Sequence, residues 1–110
     1  MISDWQAELE AAQRARLSGN EGRARVCARR AAGMAARDFL TRRGVRLRSM
    51  NALEALRRLE QVPGLAPDLR SAAAHLTLRV SEEFTLPVDV DLLAEARRLI
   101  SGLQNHEPVR

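Results

Sequence analysis

The amino-acid sequence predicts an all-α fold, an antiparallel bundle of four or five helices. Apolar residues occupy 45% of the 110 positions, and most of them are Ala or Leu, which favour helix over strand. They recur at intervals of three and four positions, whereas no segment shows the alternation that is typical of a strand. Short connections containing Gly, Pro or Asn separate the periodic segments, so neighbouring helices are expected to run antiparallel.

Two helices are expected in the first 44 residues. The first spans about residues 2–18, with Ser3 as a possible N-cap, and ends before Gly19 and Asn20. The second spans about residues 21–43 and ends at Gly44. Small residues let helices approach closely, so the Ala-rich second helix is expected to be central. The expected buried residues are Trp5, Leu9 and Ala12 in the first helix and Ala24, Ala28, Ala31, Ala32, Ala35 and Phe39 in the second.

Three further helices are expected after Gly44. Ser49 is the expected cap of a third helix that reaches about Gln61, and the segment VPGLAP then breaks the pattern. The fourth helix starts near Pro67 and runs to about Ser81, and Asp89 or Asp91 caps the fifth. Their expected inward residues are Leu53, Leu56, Leu59, Leu69, Ala73, Leu76, Val80, Leu92, Leu93, Ala96, Leu99, Ile100 and Leu103. We expect one domain over residues 1–104 and a frayed tail over residues 105–110.

Charge and cysteine content restrict the possible functions. The formal net charge is +4, and all eighteen basic residues are Arg. This excess permits binding to a polyanion without requiring it. Cys27 is the only cysteine, so neither an internal disulfide nor a cysteine metal site is expected. The first twenty residues lack a signal-peptide apolar core and no run approaches eighteen apolar residues, so we expect a cytoplasmic protein that does not span a membrane.

Three arginines recur every seven residues along the second helix. Arg23, Arg30 and Arg37 share one face, because two heptads drift by only about 20° each on an ideal helix. This Arg stripe is a candidate site for phosphate or a nucleotide, or a dimer seam. The alternative is internal pairing with carboxylates, for which the candidates are Glu8, Glu10, Glu54, Glu60 and Glu95.

Arg70 and His75 form the sharpest candidate for catalysis. An arginine can hold a phosphate while a histidine transfers a proton, which is the chemistry that metal-free RNA cleavage requires. Residues five apart on a straight helix point about 140° apart, so convergence would need a distorted helix or a second subunit. Arg79, four residues after His75, is a further candidate phosphate ligand. The alternative is a solvated polar face on which Arg79 pairs with a carboxylate of Glu82 or Glu83.

Two other kinds of nucleic-acid site are disfavoured. Aromatic residues that could stack on bases are few, namely Trp5, Phe39 and Phe84, and the first two are expected in the core. The second helix is too long for a recognition helix, and no turn of three or four residues joins a suitable pair of helices. His106, in the tail, has no neighbouring ligands for a metal.

Much of the chain resembles the HEPN family of small helical proteins. WQAELEAAQRARLSGN is similar to the first helix of that family, and RARVCARRAAGMAARDFLTRRG to its long second helix. LRSAAAHLTLRVSEEFTLPVDVDLLAEARRLISGL resembles its last two helices. The resemblance implies a homodimer and a minimal nucleotidyltransferase as partner, in a module of the toxin-antitoxin type. Some members are metal-independent ribonucleases with an Arg followed four to six residues later by a His, which Arg70 and His75 match.

The sequence therefore supports three functional hypotheses. The first is a dimeric HEPN-like protein with a nucleotide- or RNA-associated role, the partner of a nucleotidyltransferase. The second is a metal-independent endoribonuclease in which Arg70 binds the scissile phosphate and His75 acts as general acid or base. The third is a non-catalytic helical adaptor. None of them requires a metal or a cofactor.

Overall fold

The computed structural model describes residues 4–49, 51–78 and 90–105, and these residues form a bundle of five helices. The helices are α1 (Asp4–Leu17), α2 (Glu21–Arg42), α3 (Ala52–Glu60), α4 (Pro67–Leu76) and α5 (Leu92–Gln104). No strand occurs in the described part of the chain. The predicted all-α fold is therefore confirmed.

The second helix is the centre of the bundle, as its alanines predict. It packs against α1, α3 and α5, while α4 packs mainly against α5 and α3. All of its expected apolar residues are buried, from Ala24 to Phe39, and Cys27 is buried among them. Gly19 and Gly44, which follow α1 and α2, both have a φ of 82°, the left-handed conformation that ends helices and favours glycine.

Leucines from the shorter helices complete the core around α2. Leu56 and Leu59 of α3, Leu76 of α4 and Leu99 of α5 are fully buried. Burial of each such side chain contributes about 1.5–3 kcal/mol to folding. Leu53 was also predicted to face inward, but it is only partly buried, at the edge of α3. Trp5 and Leu9 pack against the core from α1 without being fully enclosed.

Two glycines allow helices to touch at the level of the backbone. A methyl group on Gly33 of α2 would overlap Ala52, the first residue of α3. A methyl group on Gly102 of α5 would overlap the side chain of Leu69 on α4. Gly33 therefore fixes how closely the start of α3 approaches the middle of α2.

The predicted start of α3 at Ser49 is wrong. The cap is Asn51, whose Oδ1 accepts a 2.7 Å hydrogen bond from the backbone N–H of Leu53. Ser49 instead donates its hydroxyl to Glu54 Oε2 and accepts the backbone N–H of Asn51, so it orders the turn before the helix. At α5 the prediction of Asp91 is confirmed, because its carboxylate accepts the N–H groups of Leu93 and Ala94.

The fourth helix ends at Leu76, earlier than the predicted Ser81. The hydroxyl of Thr77 donates a 2.7 Å hydrogen bond to the carbonyl oxygen of Ala74, which also accepts the backbone N–H of Thr77. The carbonyls of Leu76 and Leu78 accept hydrogen bonds from the side chain of Arg29 on α2. The predictions for Val80, Asp89 and the tail beyond Asn105 fall outside the described residues.

Candidate functional site

A cleft between the middle of α2 and the first turn of α3 is strongly basic. This central cleft has a volume of about 410 Å³. Among the described residues, three arginines and no carboxylate line it. Its lining consists of Val26, Arg29, Arg30, Met34, Arg37, Asn51, Ala52 and Leu53.

Local sequence explains the shape of the central cleft. Gly33 brings α3 against α2 at Ala52, and the Asn51 cap starts α3 there. Met34 and Leu53 supply an apolar wall, and Val26, with 42% of its surface exposed, supplies another. The cleft thus combines guanidinium groups with aliphatic surface, which is the composition of many small-molecule sites.

Two neighbouring clefts continue along α2. The N-terminal cleft, of about 630 Å³, shares Val26 and Arg29 with the central cleft and includes Glu21. The C-terminal cleft, of about 950 Å³, shares Met34 and Arg37 with the central cleft and includes Asp4 and Asp38. Among these three clefts, only the central one is lined without an acidic residue.

Arg29 is the residue that sequence reasoning missed. Its Nε and Nη2 donate hydrogen bonds of 2.7 and 2.9 Å to the carbonyl oxygens of Leu76 and Leu78 at the end of α4. The side chain is half-buried, and this burial lowers the pKa of the guanidinium from its ordinary value. Among the described residues, it has no ion pair with a carboxylate. The helical spacing could have indicated that Arg29 faces the bundle, because Gly33 and Ala36, four and seven residues after it, are buried.

The three arginines of the Arg stripe do not line a single depression. Arg30 and Arg37 line the central cleft, but Arg23 lines a different depression together with Arg14 and Asn20. Arg23 and Arg30 are exposed, whereas Arg37 is partly buried and makes contacts of its own.

The predicted internal pairing is not found for Arg23 or Arg30 within the described residues. The ion pairs seen there include those of Arg16 with Glu21 and Asp91 and of Arg98 with Glu95, and His75 also contacts Glu95. Of the proposed carboxylate partners, Glu54 accepts the backbone N–H of Arg48 and the hydroxyl of Ser49 instead. Those hydrogen bonds lower the pKa of Glu54, with that of Ser49 the larger cause.

Arg70 contacts backbone and not a cleft. Its guanidinium donates hydrogen bonds to the carbonyl oxygens of Glu60, Val62 and Leu65, at the end of α3 and in the following loop. The carbonyl of Glu60 is one of those that the end of a helix leaves without an intrahelical partner, so Arg70 satisfies it. Its contacts are those of a side chain that joins α4 to the end of α3.

His75 faces α5. Its Nδ1 lies 2.7 Å from Oε1 of Glu95, and the two side chains are mostly shielded from solvent. Oε2 of Glu95 is buried without a hydrogen bond, and its nearest described cation is Nη1 of Arg98 at 3.6 Å. Arg70 and His75 therefore have separate partners, and the structure does not bring them together. Arg79, Glu82, Glu83 and His106 lie outside the described residues.

Arg16 is another arginine that makes structural contacts, and it is not among the residues that line the central cleft. It joins three helices. Its guanidinium makes paired hydrogen bonds to both oxygens of Glu21, at the start of α2, and to both oxygens of Asp91, at the start of α5. These hydrogen bonds raise the pKa of Arg16 and lower the pKa values of Glu21 and Asp91. Arg16 thus fixes the N-termini of α2 and α5 on α1.

The described residues contain no group of three His, Cys, Asp or Glu side chains able to hold a metal ion. None of the helices that are described is both long enough and apolar enough to cross a membrane. Comparisons of the chain with known protein families, curated proteins and solved structures find no match. The HEPN resemblance therefore stays a prediction.

Proposed function

We propose that this protein binds a phosphate-bearing ligand, a nucleotide or RNA, in the central cleft, and that it acts as a binding partner protein. The observation that carries this proposal is the lining of the cleft, which among the described residues includes Arg29, Arg30 and Arg37 and no carboxylate. Arg29 and Arg30 bring positive charge to the cleft, and an anion bound there is attracted to both. Arginine is also the side chain best suited to phosphate, because its planar fork donates two parallel hydrogen bonds.

The wider setting of this role is also proposed. Following the HEPN resemblance, the protein forms a homodimer in the cytoplasm and partners a minimal nucleotidyltransferase in a toxin-antitoxin-type module. In this role Arg70 is a structural residue, as its three backbone carbonyl partners support. Arg30 and Arg37 from the Arg stripe, joined by Arg29, bind the phosphate.

Binding can be tested by fluorescence anisotropy with a labelled oligoribonucleotide and a labelled nucleotide, each titrated with the full chain. Arg30→Gln removes an exposed guanidinium of the central cleft that has no ion pair within the described part of the chain, and it is expected to weaken binding about tenfold, the effect of one charge-assisted contact. Arg23→Gln is the matched control, since it removes the same charge from an exposed position of the same helix outside that cleft.

The anisotropy experiment has two contradicting outcomes. No binding of either probe at about 50 mM salt, where phosphate contacts are strong, would refute the proposed function. Equal losses in Arg30→Gln and Arg23→Gln would show attraction to overall charge and not binding in the cleft.

One observation keeps the ribonuclease as a second candidate. The Nδ1 of His75 is held at 2.7 Å by Glu95, and a carboxylate in this position orients an imidazole for proton transfer. In this version His75 is the general acid or base and Glu95 is its positioning residue. Arg70 would have to give up its carbonyl contacts to bind phosphate.

The ribonuclease is tested by incubating bulk cellular RNA with the protein in EDTA, beside His75→Ala. Cleavage that disappears in the variant would support the ribonuclease. No cleavage by either protein would leave the binding role as the better account.

A further inference from the structure

The charge distribution along α2 limits the length of an anionic ligand. Residues from Val26 to Arg37 line the central cleft over a rise of about 17 Å along the helix, and none of the described residues that line it is acidic. Beyond it, Glu21 lines the N-terminal cleft and Asp38 the C-terminal cleft. A long strand that followed α2 towards its C-terminus would place phosphates beside the carboxylates of Asp4 and Asp38, where like charges repel, whereas Glu21 at the other end is paired with Arg16.

Arg29 is the residue that the anionic group of a ligand is expected to contact. It is half-buried, and the described structure surrounds it with the carbonyls of Leu76 and Leu78 and no carboxylate. A guanidinium group has five N–H donors, and Nη1 has no hydrogen bond within the described residues. A desolvated cation gains from an anionic partner because carbonyl dipoles neutralise only part of its charge. Arg30 follows it in the chain and lines the same cleft.

The rest of the cleft favours a ligand with an apolar or weakly polar body. Val26, Met34 and Leu53 form its aliphatic surface, and Asn51 adds an amide at the start of α3. A volume of about 410 Å³ lies in the range of small-molecule sites, which extends from about 300 to about 1,000 Å³. Among the described residues that line the cleft, none is aromatic and able to stack on successive bases of a strand.

We infer that the ligand of the central cleft is a small phosphate monoester, with one or two phosphate groups on a body of about nucleoside size, and not an RNA strand. The phosphate lies between Arg29 and Arg30, and the body lies against Met34 and Leu53. This inference rests on the proposed function, since it names the class of ligand for the same cleft.

Isothermal titration calorimetry on the full chain at about 150 mM salt separates the ligand classes. The probes are the four common ribonucleoside monophosphates, inorganic phosphate, the matching nucleosides, and an oligoribonucleotide of about twelve residues with no terminal phosphate. We expect at least one monophosphate to bind at least tenfold more tightly than phosphate, its nucleoside or the oligoribonucleotide. Its affinity should fall only weakly with salt, since each phosphate contact of a strand steepens that dependence.

The outcomes distinguish this inference from the function on which it depends. If the oligoribonucleotide binds and no monophosphate does, the inference is overturned while the proposed function stands. If no probe binds, both are overturned. If phosphate alone binds as tightly as every monophosphate, the nucleoside-sized body is refuted.

Variants then test where the phosphate and the nucleoside-sized body of the ligand bind. Arg30→Gln should weaken monophosphate binding about tenfold without changing the melting temperature, because Arg30 is exposed and unpaired among the described residues. Leu53→Gln should weaken the monophosphate but leave the weaker affinity for inorganic phosphate unchanged. Arg29→Gln is expected to weaken both, but it also loses the α4 contacts, so the first two variants decide. Full monophosphate affinity in Arg30→Gln and Leu53→Gln would overturn the inference.

Discussion

The side chain of Arg29 on α2 closes the end of α4 through a 2.7 Å hydrogen bond from Nε to the carbonyl oxygen of Leu76, the last residue of that helix. A second hydrogen bond, of 2.9 Å, runs from Nη2 to the carbonyl oxygen of Leu78. Arg29 and Leu76 are 47 positions apart in the chain. The same side chain lines the central cleft, so the wall of the cleft and the end of α4 depend on one guanidinium group.

Replacement of Arg29 should loosen the end of α4. Arg29→Gln cannot reach both carbonyls, and we expect a loss of about 1–3 kcal/mol in the free energy of unfolding because half-buried acceptors are left unpaired. The amides of Thr77 and Leu78, which bond to the carbonyls of Ala74 and His75, should exchange faster with deuterium. Arg30→Gln is the control and should exchange as the wild type does. Unchanged exchange in Arg29→Gln would contradict the capping role.

Arg70→Gln tests whether that arginine is structural. Its guanidinium bonds to three carbonyl oxygens at and after the end of α3, so we expect urea denaturation to show a loss of about 1–3 kcal/mol. Arg58→Gln, at an exposed position of α3, should change stability by less than about 0.5 kcal/mol. If Arg70→Gln were as stable as the wild type, the carbonyl contacts would be unimportant and the catalytic interpretation would gain support.

Two glycines of α2 should respond in opposite directions to the same substitution. Gly33→Ala would place a methyl group against Ala52, and overpacking of this kind costs about 1–3 kcal/mol. Gly22→Ala, in the first turn of the same helix, meets only Asn20 Oδ1 at 3.9 Å. Since alanine is the better helix former, Gly22→Ala should stabilise the protein by about 0.5–1 kcal/mol. Thermal denaturation of both variants would check the prediction, and a stable Gly33→Ala would show that α3 is not held at this contact.

The contacts of Arg16 predict how stability depends on acid. Its hydrogen bonds are the largest cause of the lowered pKa values of Glu21 and Asp91. A carboxyl group with a lower pKa in the folded state binds fewer protons there than in the unfolded state. The stability it supplies is therefore present above its unfolded pKa, about 4, and is lost as the pH falls through the folded value.

Arg16→Gln should consequently cost more stability at neutral pH than in acid. We expect a loss of about 1 kcal/mol near pH 7, a small value because solvent screens these partly exposed pairs. The wild-type and variant urea midpoints should converge as the pH falls through the lowered pKa values of Glu21 and Asp91. A difference that stayed constant over this range would show that the ion pairs do not contribute to stability.

The helices could be predicted because their signals are local. Ala and Leu at helical spacing placed the core of α2 and α5 correctly, and the Asp91 carboxylate marked the start of α5. The start of α3 and the end of α4 were misplaced. Asn51, and not Ser49, caps α3, and α4 ends at Leu76 although the apolar spacing of the sequence continues to Val80.

The contacts that the arginine side chains make could not be predicted in the same way. Arg29, Arg30 and Arg70 are equally basic in the sequence, yet one bonds to α4, one lines a cleft without an ion pair, and one bonds to the end of α3. A guanidinium group reaches several ångströms, and its partner is set by tertiary packing. The heptad spacing correctly grouped Arg30 with Arg37, but it also included Arg23, which lines a different depression.

The central claim is that a phosphate-bearing ligand occupies the central cleft, and methyl NMR during titration with a ribonucleoside monophosphate tests it most directly. The methyl groups of Met34 and Leu53 line this cleft, whereas the exposed Leu17 does not. We predict saturable shifts of the Met34 and Leu53 signals, which need about tenfold more ligand in Arg30→Gln, with the Leu17 signals unchanged. Shifts confined to other methyl groups, or cleft signals that do not move while ligand binds, would contradict the account.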